Sequence, residues 1–215
     1  MQGDEKLTGE QSLEIIQQMI HQAKNTYHEK GIGPILWGTV ITFCSLMTFA
    51  QIHYHFKLPF DIWWLTFVAI LPQIIIVNKE KKQRKVRTHM DTVMDYVWTC
   101  FGFSIFILIF INGNVLYNLA PITQHYKEHV GPVLGFRNFQ TSYFLLLYGI
   151  PTIITGGITN LKPMLYGGIL CWVLAVVTVY TNAEMDMLLT ALAATCAWLI
   201  PGIILWRKMK MHKAC

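Results

Sequence analysis

The chain has 215 residues, a formal net charge of +5, 53% hydrophobic residues and only 13% charged residues. A mean hydropathy of +0.41 does not suit a water-exposed surface. This composition excludes intrinsic disorder, which needs few apolar residues and high charge, and a disulfide-stapled secreted module, which needs many cysteines in a short chain.

In chain order, residues 1–32 read as a cytoplasmic segment, polar and mixed in charge, with no pattern of a cleavable signal. The first span is therefore expected to be retained and to direct insertion. Within the segment, Leu13, Ile16, Ile20, Ala23 and Tyr27 recur at intervals of three and four, which is the period of an amphipathic helix. Thr8 with Gln11 forms a capping-box pattern, and Gly31, Gly33 and Pro34 supply a break. Such a stripe packs on the ends of the bundle or lies in the headgroup layer; the sharper reading is a docking helix for another subunit or for self-association.

Residues 33–206 form the membrane domain. A spanning helix needs about 20 mostly apolar residues, and six stretches fit: Gly33–Tyr54, Phe60–Val77, Val93–Tyr117, Thr141–Thr159, Met164–Tyr180 and Met187–Trp206. The fifth is the shortest. Residues 207–215 are a basic tail. The fold class expected is all-α, a six-helix polytopic membrane protein with an N-terminal amphipathic helix. With the N-terminus inside, 14 of the 17 Lys and Arg residues fall on the cytoplasmic side, including the run Lys79–Arg87. Both termini are expected in the cytoplasm, with the basic residues touching anionic lipid headgroups. The basic run reads as topogenic, and no nucleic-acid partner is expected. Tyr54, Trp63, Trp64, Tyr117, Tyr143 and Tyr180 fall at one boundary and Tyr96 and Trp206 at the other, as interfacial anchors do.

The run Ser12–Ile20, followed by Ala23-Lys24-Asn25 and Leu36-Trp37-Gly38, and further on Tyr96-Val97-Trp98, Cys171-Trp172 and Ile200-Pro201-Gly202, resembles a group of small bacterial inner-membrane proteins to which no activity is attached. The resemblance implies a bacterial plasma membrane.

Three spans share an aliphatic-Pro-x-Ile-Ile pentapeptide, around Pro72, Pro151 and Pro201, and the other three carry Trp37, Trp98 and Trp172 near their cytoplasmic ends. The chain is thus compatible with three hairpin repeats about an axis normal to the membrane. Each proline withholds a donor from the carbonyl four residues earlier, those of Val68, Leu147 and Ala197, so a shared layer of kinks would form a hinge or constriction.

Chemistry is sparse. No Asp, Glu, Lys, Arg or His falls mid-span, which argues against a buried-carboxylate transporter. Asp61, Asp91, Asp95, Glu184 and Asp186 sit at span ends and are expected to be solvated. The five cysteines show no CxxC and read as free thiols. There is no phosphate-binding glycine loop and no nucleophile elbow. The one metal motif is His125-x-x-Glu128-His129, matching H-x-x-E-H, in the polar connection Asn118–Gln140. A zinc ion there would need a third ligand from His53, His55, Asp61, Glu184 or Asp186; the reading preferred over zinc or another metal contact is a short interfacial helix with incidental histidines. No catalytic residue is assigned. The function expected is a non-enzymatic accessory, regulatory or homo-oligomeric membrane component. The alternatives are a small permease or channel for an uncharged or weakly polar solute, and a membrane-bound metal enzyme at the outer face.

Overall fold

The computed structural model describes residues 31–83, 89–129 and 139–214. Among them every regular element is helical: α1 (Ile32–His53), α2 (Trp64–Gln83), α3 (His89–His129), α4 (Gln140–Ile158), α5 (Lys162–Val177), α6 (Ala183–Ala194), a π-turn (Thr195–Leu199) and α7 (Ile200–Ala214). Four helical stretches are long and apolar enough to cross a membrane: Ile32–His53, His89–His125, Gln140–Ile158 and Ala183–Lys208. The amphipathic stripe Leu13–Tyr27 lies outside the described residues, as does the Arg84–Arg87 part of the basic run.

Small residues decide which helices meet. α1 runs antiparallel to α6, the π-turn and α7 in a register fixed by its own stripe. A Cβ on Gly31, which holds φ +70, would lie 2.4 Å from the Gly202 carbonyl oxygen, and one on Gly38 would lie 2.6 Å from the Leu199 nitrogen. Neither position admits a larger residue without backbone movement. Further along, the hydroxyls of Thr42 and Thr195 lie 3.1 Å apart, and His53 at the far end meets Glu184. α5 enters the same layer through Gly167, whose Cβ would fall 2.4 Å from Ala197 Cα. α4 and α5 make the most extensive helix pair. Their three-residue turn closes as a Schellman motif: Asn160 takes φ 54, and Leu161 N–H donates to the Gly156 carbonyl at 3.0 Å.

α2 returns antiparallel along α1. The Trp63 indole donates to Thr48 Oγ1 at 3.1 Å near one end, and Gln73 stands beside Gly33 near the other. The helix starts later than the expected span and runs on through Lys82, because Asp61, Ile62 and Trp63 are spent on turns that cap its start.

α3 departs furthest from expectation. The connection Asn118–Gln140 does not begin with a separate short helix: the spanning helix itself continues unbroken to His129. Polar side chains support the extra turns, with Thr123 Oγ1 donating to the Leu119 carbonyl at 2.8 Å and Gln124 Nε2 donating to Glu128 Oε1 at 3.2 Å. At 41 residues the helix is about 61 Å long, twice the hydrocarbon thickness. Of the four candidate spans it is the least covered; it meets α4 along one side and reaches Trp198 of the π-turn through Trp98 and Phe101.

Candidate functional site

The described chain concentrates polar and aromatic groups at three places. At the His53 end of the bundle, His53 Nδ1 is 2.7 Å from Glu184 Oε1. Asn182 caps α6, its Oδ1 accepting from Met185 N–H at 3.0 Å, which satisfies one orphan donor of the first turn. One turn inward Asp186 is 2% exposed and accepts from Thr181 Oγ1; Thr190 Oγ1 donates to the Asp186 carbonyl at 2.8 Å. The expectation that Asp186 and Asp91 are solvated is therefore corrected, since Asp91 is also only 2% exposed. Asp186 is covered because Asn182 starts α6 under the α5–α6 turn, and Thr181 in that turn supplies the hydrogen bond that a buried carboxylate requires.

Thr190 lines a cavity of about 20 Å³ together with Ile41, Leu145, Tyr148, Cys171, Trp198 and three alanines. This is room for about one water, but the walls are apolar, and such voids stay dry. The line of polar groups from Glu184 to Thr190 thus stops at an apolar layer.

The second place is an aromatic knot. Trp98 and Phe101 of α3, Tyr148 of α4 and Trp198 of the π-turn pack mainly edge to face, with ring centroids 5.0 to 6.2 Å apart. Trp198 Nε1 donates to Thr152 Oγ1 at 2.8 Å, and Thr152 Oγ1 donates in turn to the Tyr148 carbonyl at 2.7 Å. The π-turn follows from Pro201: with no N–H there, the ladder slips by one and Ile200 N–H reaches back five residues to the Thr195 carbonyl. The three prolines differ in surroundings, Pro151 and Pro201 being buried and Pro72 exposed; only Pro201 adjoins a π-turn. Trp37 and Trp98 pack on the core, whereas Trp172 is partly exposed and donates its indole N–H to the Leu146 carbonyl. Trp198, the centre of the knot, carried one signal in the sequence, its place three residues before Pro201. Ser45, Asn112, Thr155 and the Trp98 indole bury polar atoms that have no hydrogen-bond partner among the described residues.

The third place is the C-terminal end of α3. His125, Glu128 and His129 are exposed there, and the two imidazoles face each other with centroids 4.3 Å apart. Of the expected third ligands, His53 is engaged with Glu184 and Asp186 with Thr181. Among the described residues, no three His, Cys, Asp or Glu side chains come together to hold a metal ion. The chain matches no protein-family model, and no curated protein or solved structure is significantly similar to it.

Proposed function

We propose that this protein crosses a bacterial plasma membrane six times, with both termini cytoplasmic, and works without catalysis of its own as an accessory, regulatory or self-associating component. Two crossings beyond the four most apolar helical stretches are assigned to α2 and α5. In support, α2 lies antiparallel along α1 and ends in Lys79, Lys81 and Lys82, while α5 is sheathed by α4; its 16 residues span about 24 Å, which the bilayer accommodates by local thinning. The threefold hairpin relation is proposed for the proline layer alone. Gln73 beside Gly33, and Gly202 beside Gly31 and Ile35, favour a common depth for Pro72 and Pro201, although the hairpins pack unequally.

The observation that carries the functional reading is the outward face of α3. Tyr96, Phe103, Phe110 and Tyr117 recur every seven residues and are 69%, 66%, 66% and 81% exposed, on the side of the helix opposite Met94, Trp98 and Phe101. A seven-residue repeat keeps one face toward a neighbour, and it is self-complementary about a twofold axis, so a second copy is the occupant that fits. Mass spectrometry of intact complexes released from native membranes tests this. A dimer or higher oligomer that weakens in the Phe103→Ala/Phe110→Ala variant is expected; a monomer free of other proteins would remove the reading.

A small permease is favoured by a different observation: the polar line from Asp186 to Thr190 is separated from the π-turn residues Ala197 and Trp198 by one small apolar cavity that they share, and the extra residue of the π-turn leaves room for rearrangement. On that reading Trp198→Ala opens a leak. Liposomes carrying either form that stay impermeable to ions and small neutral solutes would end it.

A further inference from the structure

On α3, His125 and His129 stand one helical turn apart, the spacing at which an α-helix sets two side chains on one face. Both are exposed, with ring centroids 4.3 Å apart and planes inclined by 40°. His129 Nδ1 lies 2.8 Å from the carbonyl oxygen of His125. A carbonyl only accepts, so Nδ1 carries the proton and the lone pair of the neutral ring is left on Nε2. This is the arrangement by which a backbone carbonyl orients a metal-bound histidine. Glu128 Oε1 instead accepts from Gln124 Nε2 at 3.2 Å, and its carboxylate does not join the two imidazoles as a third ligand.

We propose that His125 and His129 form a two-imidazole chelate for a divalent transition-metal ion at the C-terminal end of α3. Imidazole selects Cu²⁺, Ni²⁺ and Zn²⁺, with Cu²⁺ held most tightly, whereas Ca²⁺ and Mg²⁺ demand oxygen donors. With two protein ligands the remaining positions belong to water, so the site is open and exchangeable, unlike a four-ligand structural zinc site. Binding has a mechanical effect as well. The ion bridges positions i and i+4 and clips the last turn of a helix end that has little tertiary packing and is marginal by its own propensity. The site stands on the side chains of one helix and does not depend on how the protein functions.

Full-length untagged protein in detergent micelles, titrated calorimetrically with Cu²⁺, Ni²⁺ and Zn²⁺, provides the test, with Ca²⁺ and Mg²⁺ as controls. One ion per chain is expected, with Cu²⁺ the tightest and no response to Ca²⁺ or Mg²⁺. His125→Asn/His129→Asn should weaken binding by about tenfold or more, since one or no imidazole cannot chelate, while His89→Asn leaves it unchanged. Hydrogen exchange supplies a second readout: metal should slow exchange of the amides in 118–129 in the wild type and not in the double variant. These side chains are exposed, so the variant should keep the wild-type unfolding midpoint in the absence of metal. Undiminished binding in the double variant overturns the proposal, as does saturable binding that leaves exchange in 118–129 unaltered.

Discussion

Thr152 takes part in two hydrogen bonds that tie α4 to the π-turn: it donates to the Tyr148 carbonyl of its own helix and accepts from the Trp198 indole. Replacing it with valine keeps the volume and strands a buried indole N–H, which costs about 1–3 kcal/mol. Thermal unfolding in detergent should show the loss. In a Trp198→Phe background the Thr152→Val change should lose most of its effect, the coupling a double-mutant cycle reads. Gly38 answers to a different force. A valine there would drive its Cβ into the backbone of the π-turn, and overpacking of this kind costs about 1–3 kcal/mol; the same assay should place Gly38→Val well below Gly38→Ala, itself below wild type. At the surface, by contrast, Glu184→Gln breaks a pair whose side chains are 33% and 51% exposed, and a change below about 1 kcal/mol is expected.

At the scale of elements, α3 distinguishes lipid from protein as its neighbour. Gly102 and Gly113 have nothing within 4 Å of a built Cβ. If lipid alone surrounds them, Gly→Ala at either position raises the unfolding midpoint by the helix-propensity gain of up to about 1 kcal/mol. A second copy seated close to those positions would instead be pushed away, and oligomer content measured by native mass spectrometry would fall. The helix also marks how far sequence reading reaches. Apolar length and basic flanks made α1 and α4 legible nearly to the residue, because hydrocarbon thickness and lysine placement act locally. Asn118–His129 was legible only as a short helix apart from the span: its continuity through Pro121 was not, and the side-chain bonds of Thr123 and Gln124 that accompany it advertise nothing in hydropathy. The burial of Asp186 and the centrality of Trp198 were equally hidden, since both depend on which helices meet, a question settled by Gly38, Gly167 and Gly202 at contacts far apart in the chain.

For the whole molecule, orientation is the property most open to direct measurement. Single cysteines placed at Gln124 and at Lys79 in intact cells should differ, the first reacting with an impermeant maleimide from outside and the second only after lysis; the reverse pattern would invert the topology proposed above. Given that orientation, α3 has a consequence for force and motion. Its contacts with the rest of the bundle run from Trp98 at the aromatic knot to the buried Asn112, and its tip at His129 lies some 31 residues beyond Trp98, about 46 Å along the axis. A helix this long turns any small pivot at the aromatic knot into a large movement of its tip. A tilt of about 5° there sweeps the tip through about 4 Å, so a repacking of rings too small to register as a change of fold is read out beyond the membrane as a displacement the width of an amino-acid side chain.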